Sequence, residues 1–261
     1  MTKYREMKYM HDPLFLENPE KKGMVVFIHG FMGSPRQFDN LAQSIHSQGY
    51  SVASLLLPGH GATVKEFSSS TAQNWQHHVC SEVEGFSRGY NSIYLVGHSM
   101  GCLLAINTAI RHSGHVRGLF LIACPLKLKG FSLQTLKIRL KQVFYRKNHP
   151  MKSAYLAGSS VPPSLSLIWR SAKPGAELKK LMLITEKNLQ NIRVPVTAIF
   201  SSADELVSMD SLEILKTGLN QVSFDSLTLS DSLHAYYPEH EQSLIEGALF
   251  RCIYSVLPLR I

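Results

Sequence analysis

Four cysteines in 261 residues, none in a CxxC pair and none spaced with histidines as metal ligands are, leave little room for a disulfide framework or a metal centre. Cys80, Cys102, Cys124 and Cys252 lie scattered, mostly inside apolar runs, and read as buried free thiols. Long hydrophobic runs are missing too. No stretch reaches the roughly 20 apolar residues that a bilayer-crossing helix needs. The charged start Met1-Thr2-Lys3-Tyr4-Arg5-Glu6 leads into no apolar core of a secretory signal. Both absences predict a cytoplasmic chain. Internal repeats and low-complexity tracts are also lacking, which argues against a solenoid or a disordered linker. Acidic residues are the scarce charge: 19 Asp and Glu stand against 27 Lys and Arg, for a net charge of +8. The deficit is local. Residues 125–190 hold 13 Lys or Arg and two acids, Glu177 and Glu186, so the remainder of the chain is slightly acidic.

What is present is strand and helix in alternation. The length suits one α/β domain with a large core. Strands are predicted at residues 13–17, 24–28, 50–57, 92–96, 116–123, 194–200 and 222–229, from β-branched and aromatic runs bounded by turn residues. Helices are predicted from Ser34 to about Ser47, over 71–88, after Ser99, near 208–219 and from about 238 to 257. Ser34 is a good N-cap and Pro35 a good first helical residue. Such alternation predicts a mainly parallel sheet covered on both faces, with ligands bound at the carboxyl ends of its strands. His29, Ser99 and Asp204 fall at such ends.

Ser99 is the most informative of these. It sits in Gly97-His98-Ser99-Met100-Gly101, after the strand Ser92-Ile93-Tyr94-Leu95-Val96 and before the helical run Cys102–Ile110. A serine between two glycines at a strand-to-helix junction is a nucleophile elbow, a turn too tight for a Cβ on either flank. A hydroxyl is a poor nucleophile at neutral pH and needs a base, which in turn needs an acid to orient it. On this architecture the order is Ser, acid, His. Asp204 follows the buried strand ending Phe200-Ser201-Ser202-Ala203. His234 lies in the late loop Ser230-Asp231-Ser232-Leu233-His234-Ala235. Asp210 and Asp231 are weaker rivals for the acid, Glu205 points elsewhere, and His240 is the rival base, read as solvated in the last helix. Two backbone N–H groups are needed for the oxyanion. They are assigned to Met100, after the nucleophile, and to Phe31 in His29-Gly30-Phe31. Gly30 allows close approach, Phe31 also lines the acyl site, and His98 packs beside the nucleophile; these three are the substrate-binding candidates. His60, in a glycine turn, reads as structural.

With HGFMGS, LPGHG, GHSMG, SSADELVS and DSLH in that order, the chain resembles the α/β-hydrolase superfamily, and within it small bacterial carboxylesterases and monoacylglycerol lipases. The similarity runs over about residues 23–125 and 193–257, and includes Trp75 on the helix after Leu57-Pro58-Gly59-His60-Gly61. The resemblance implies the triad Ser99, Asp204 and His234, oxyanion donors Phe31 and Met100, a small-molecule acyl ester as substrate, and no metal or organic cofactor. It also implies three parts: a first core section 1–124, a basic cap insertion 125–192, and a second core section 193–261.

Inside the cap, Leu133, Leu136, Leu140, Val143 and Phe144 recur at helical spacing, with Lys137, Lys141, Arg139 and Arg146 around them. Three readings stay open: a cap helix packed over the site with its lysines in water, a weak contact with anionic membrane, or attraction of an anionic substrate. Nucleic acid is not expected, since neither aromatic interleaving nor a motif supports it. The expected reaction is ester hydrolysis; a thioesterase or peptidase with the same triad, and a non-catalytic binding protein, are the alternatives.

Overall fold

Met24–Ile28 is five consecutive residues without exposed surface, as in a strand covered on both faces. In the computed structural model, which describes residues 11–61, 63–130, 160 and 170–254, this strand (β2) lies inside a seven-stranded sheet. The others are β1 (Leu14–Leu16), β3 (Ser51–Leu55), β4 (Ile93–His98), β5 (Val116–Ile122), β6 (Val196–Ser201) and β7 (Phe224–Leu229), in the order β1-β3-β2-β4-β5-β6-β7. Only β1, on the edge, runs antiparallel, pairing Leu14 with Ser54 and Leu16 with Val52. The order reverses between β2 and β4, whose carboxyl ends carry His29-Gly30 and Ser99. That is the switch point where open α/β sheets make a crevice.

The strands' alternation divides the core in two. Met24, Val26, Ile28, Ile93 and Leu95 face one side; Val25, Phe27, Tyr94 and Val96 face the other. The second side is covered by α1 (Asp39–Ser47), through Ala42 and Ile45, and by the last described helix, through Ile245, Leu249 and Ile253. The first is covered by α3 (Ala72–Ser87) and α4 (Met100–Arg111). Ahead of them lies a short helix that the sequence reading passed over, α2 (Val64–Ser69). Its signal was legible: Thr63 and Glu66 form a reciprocal capping box, each side chain taking the other's backbone N–H.

A second unexpected helix is α5 (Ala172–Asn188). Pro174 and Gly175 near its start hid it, yet a proline in the first turn removes only an N–H with no intrahelical partner. Leu178, Leu181, Met182 and Thr185 recur at helical spacing, and α5 packs on α2, α3 and α4. Asn107 Nδ2 donates to Thr185 Oγ1 at 2.6 Å, and the Glu177 carboxylate accepts the Ala72 N–H at 3.0 Å, at the start of α3. After it come α6 (Asp210–Gly218) and α7 (Glu239–Tyr254). The helix expected from Ser34 begins as a 3-10 turn (Pro35–Phe38) capped by Ser34, and becomes α-helical only at Asp39. The amphipathic pattern at 133–146 lies outside the described residues. Among those described, no helix is long and apolar enough to cross a membrane.

Candidate active site

The elbow is built by what its glycines leave out. A Cβ on Gly97 would come within 2.5 Å of the Cys102 amide nitrogen, and one on Gly101 would run into the Ile28 carbonyl. The two missing side chains let α4 start against β2. Ser99 is left at φ 53, ψ −122, a left-handed conformation that costs a non-glycine residue about 1–3 kcal/mol. Its main chain is tied on both sides: the N–H donates to Ile122 O at 2.8 Å, and the carbonyl accepts the Cys102 N–H at 2.9 Å.

From this turn the hydroxyl reaches His234. Ser99 Oγ lies 2.9 Å from Nε2 of the imidazole, whose Nδ1 lies 2.8 Å from Asp204 Oδ2. An ionised carboxylate can only accept, so Nδ1 carries the proton and Nε2 is left to accept from the serine. All three residues are nearly closed off from solvent, Ser99 and His234 at 8% and Asp204 at 3% exposure. Burial alone would raise the Asp204 pKa. The His234 imidazole and the Val207 and Leu206 N–H groups outweigh it and hold the carboxyl below its ordinary value. The second oxygen, Oδ1, accepts Leu206 N–H at 2.7 Å and Val207 N–H at 2.9 Å, so the acid is fixed at both oxygens.

The loop carrying His234 is held from beneath. The carboxylate of Glu241, in the first turn of α7, accepts the N–H groups of Ser230 (2.7 Å) and Asp231 (3.0 Å) and the hydroxyl of Ser232. These donors hold its pKa down to about 2 against the upward push of burial. Ser201, ending β6, donates its hydroxyl to Ser232 O at 2.6 Å.

Opposite, the turn after β2 presses on Ser99: a Cβ on Gly30 would stand 2.9 Å from Ser99 Cβ. Three histidines shape this turn as neutral rings. His29 Nδ1 pairs with Gly30 O (2.9 Å), and its Nε2 accepts Leu57 N–H (3.1 Å). His60 Nε2 accepts Met32 N–H at 3.1 Å. Burial keeps His29 well below its ordinary pKa and brings His60 to about 4 and His98 to about 3. Phe31 is set edge-on to Phe67 and Trp75, and Trp75 Nε1 donates to Pro58 O at 3.1 Å. Ser160 reaches the same turn, its N–H donating to Met32 O at 2.9 Å. Met100 opens α4, so its N–H has no partner within the helix.

The structure thus gathers Ser99, Asp204, His234, Gly30, Phe31, Met100 and His98 at one end of the sheet. His98 turns its ring toward the His234 loop, with Nε2 on His234 O at 2.9 Å. The rivals stand apart. Asp210 pairs with Lys127 at 2.7 Å, and Asp231 with the exposed His240 at 3.1 Å. Asp231, His240 and Glu241 form the one group of potential metal ligands among the described residues, but these bonds and the loop N–H groups already engage their polar atoms. Sequence reasoning missed Glu205, Tyr237 and Glu241. Glu205, set aside as pointing elsewhere, accepts the backbone N–H of His234 at 2.9 Å. No periodicity marks these groups; their role appears only when the loop closes.

The sheet order, the elbow and the crevice at the switch point define an α/β-hydrolase. The chain belongs to the family described as serine aminopeptidase, S33, whose model matches residues 19–166. It is similar to a thermostable monoacylglycerol lipase from Bacillus sp. (strain H-257), with 24% identity over 240 residues and 90% of both chains covered. Its fold is shared with a metagenome-derived lipolytic enzyme (TM-score 0.74, 22% identity, covering 93% of this chain and 97% of the other). It is shared as well with a monoglyceride lipase from Saccharomyces cerevisiae (TM-score 0.71, 15% identity, covering 94% and 92%). The chain is a hydrolase of the lipase and esterase type.

Proposed function

We propose that this chain hydrolyses carboxylic esters, of short- to medium-chain acyl groups or monoacylglycerols, through an acyl-enzyme on Ser99. The observation that carries the reading is the unbroken Ser99–His234–Asp204 hydrogen-bond chain ending on a strained elbow. Ser99 Oγ attacks the ester carbonyl as His234 Nε2 takes its proton. Asp204 stays ionised and stabilises the imidazolium. The Phe31 and Met100 N–H groups receive the oxyanion, assisted by the positive end of α4. Collapse expels the alcohol, protonated by His234. Water, activated by the same ring, then releases the acid and frees Ser99.

We read the insertion 125–192, which rests on the core through α5, as carrying the cap that selects the acyl chain, with Gly30, Phe31 and His98 at the floor of the site. The four free cysteines are in keeping with a reducing, cytoplasmic setting. The test is hydrolysis of p-nitrophenyl esters from acetate to palmitate by the wild type and Ser99→Ala. Activity that peaks at one chain length and vanishes in the variant is expected. Fluorophosphonate labelling of Ser99 without ester turnover would move the substrate to thioesters or peptides. Neither labelling nor turnover would leave a binding protein. The family description favours a peptidase as the second reading; aminoacyl p-nitroanilides in the same assay separate the two.

A further inference from the structure

His234 lies in a turn, not in a strand or helix. Leu233 and Tyr236 close that turn through Leu233 N–H to Tyr236 O at 2.9 Å. No ladder therefore takes up the peptide groups of the base itself. Both go to side chains. The N–H donates to Glu205 Oε2 at 2.9 Å, and the carbonyl accepts from His98 Nε2 at 2.9 Å and from the Tyr237 hydroxyl at 3.3 Å. The positions of the two gripping residues are the informative part. Glu205 directly follows Asp204, and His98 directly precedes Ser99. Each partner of the base is thus flanked in sequence by a residue that holds the base's main chain.

We propose that Glu205 and His98 act as a main-chain clamp that keeps the His234 imidazole in register with Ser99 and Asp204, as positioning residues for acyl transfer. The inference rests on the reading of His234 as general base. A carbonyl can only accept, so His98 must present Nε2–H, which leaves Nδ1 as a bare acceptor. That atom is buried beside Gly30 and has no hydrogen-bond partner among the described residues. An acceptor desolvated in this way costs about 1–3 kcal/mol. The bond to His234 O is what the ring supplies in return. The clamp matters because the proton moves across 2.9 Å. A displacement of the base by about 1 Å costs on the order of 100-fold in rate.

The experiment compares Glu205→Ala, Glu205→Gln and wild type in ester turnover, in the rate of Ser99 phosphonylation by a fluorophosphonate, and in thermal unfolding. In Glu205→Ala, kcat and the phosphonylation rate should fall about 10- to 100-fold with KM within twofold. Glu205→Gln, whose amide oxygen still accepts the N–H, should recover to within about threefold of wild type. Equal impairment of both variants, a rise in KM in place of the fall in kcat, or a wild-type rate in Glu205→Ala would each overturn the clamp. Should Glu205→Ala fail to fold, His98→Phe tests the carbonyl side: a similar fall in kcat supports the clamp and an unchanged kcat overturns it. A wild type that neither labels nor hydrolyses esters sinks the esterase reading and the clamp with it. A wild type that does both while Glu205→Ala keeps pace sinks the clamp alone.

Discussion

Ser99 and His234 meet across 2.9 Å, yet they are held by different means. Ser99 is held by main chain. It ends a strand buried on both faces, its N–H and carbonyl bond to Ile122 and Cys102, and two glycines let β2 and α4 close around it. His234 is held by side chains: Glu205 and His98 on its peptide, Glu241 and Ser201 on the loop before it. At the elbow the geometry and the fold are one structure, and damage to either is damage to both. At the histidine loop single groups can be removed while the core stays intact. A change to the elbow's backbone should therefore unsettle the sheet itself, whereas a change in the loop should cost stability and rate while the sheet stays folded.

The largest effect tests the elbow without disturbing it. Ser99→Ala should lower kcat by about 10⁴- to 10⁶-fold, while the unfolding midpoint stays within a few degrees, because the backbone bonds survive. Gly101→Ala breaks the same turn from behind. The new Cβ would stand 2.7 Å from the Ile28 carbonyl carbon, in a strand that cannot retreat. A loss of about 3 kcal/mol or more in urea unfolding is expected, with activity lost in parallel. Wild-type stability in this variant would mean that the elbow can relax, and the contrast would weaken. Glu241→Ala is the counterpart in the loop. It orphans the Ser230 and Asp231 N–H groups and the Ser232 hydroxyl. We expect about 3 kcal/mol lost in unfolding, with kcat down more than tenfold. Far-ultraviolet circular dichroism should stay that of the wild type, whereas Gly101→Ala should lose it on mild warming.

The same contrast explains what could be read in advance. The elbow was legible because backbone constraint is written in residue type: only glycine tolerates Gly97 and Gly101, and the β-branched and aromatic run before Ser99 reads as a buried strand. The sheet followed for the same reason, with the strands Met24–Ile28 and Leu14–Leu16 at the positions expected, though the edge place and antiparallel pairing of the second show only in the fold. Asp204 and His234 were legible from their order after strand ends. Glu205, Glu241 and Tyr237 were not, because their work is to satisfy loop N–H and C=O groups. Nothing local in the sequence marks a side chain for that. Glu205 reads in the sequence as a mere neighbour of Asp204, though being its neighbour is what sets it under the His234 peptide. Helix α5 was hidden by its lysines and by Pro174. Its apolar stripe of Leu178, Leu181 and Met182 is narrow, and its packing on α4 includes polar Asn107 and Thr185.

Acid should reach the two regions at different pH. The turn facing the elbow depends on neutral imidazoles, with His60 lowered by burial from 6.5 to about 4. A depressed histidine favours the folded state's neutral form. Its contribution is intact above the unfolded value and is lost as pH falls through the folded one. The loss is about 1.4 kcal/mol per pH unit, or about 2 kcal/mol for His60 by pH 5. Glu241 is lowered from 4.5 to about 2, so its stabilisation is present above 4.5 and begins to fall only below it. Unfolding free energy measured from pH 7 to 5 should therefore decline, and His60→Gln should flatten the decline by about one proton. An unchanged slope in that variant would remove His60 from the account.

The smallest effect should come from Ser201→Ala, and it is the sharpest on the loop. The Ser201 hydroxyl donates to Ser232 O at 2.6 Å and also accepts the N–H of Ala203, the residue before Asp204, at 3.2 Å. Both groups are buried or half-buried, so their loss should cost about 1 kcal/mol. Glu241 still holds three other groups of the same loop, which limits how far His234 can drift. The expected result is a shift of a few degrees in the unfolding midpoint, with kcat within about threefold of wild type. A loss in kcat as large as that of Glu241→Ala, with no larger fall in stability, would mean that the base is placed by Ser201 and β6 more than by the α7 carboxylate. Side chains would still place the base, but the main support would move from the helix to the strand that carries the acid.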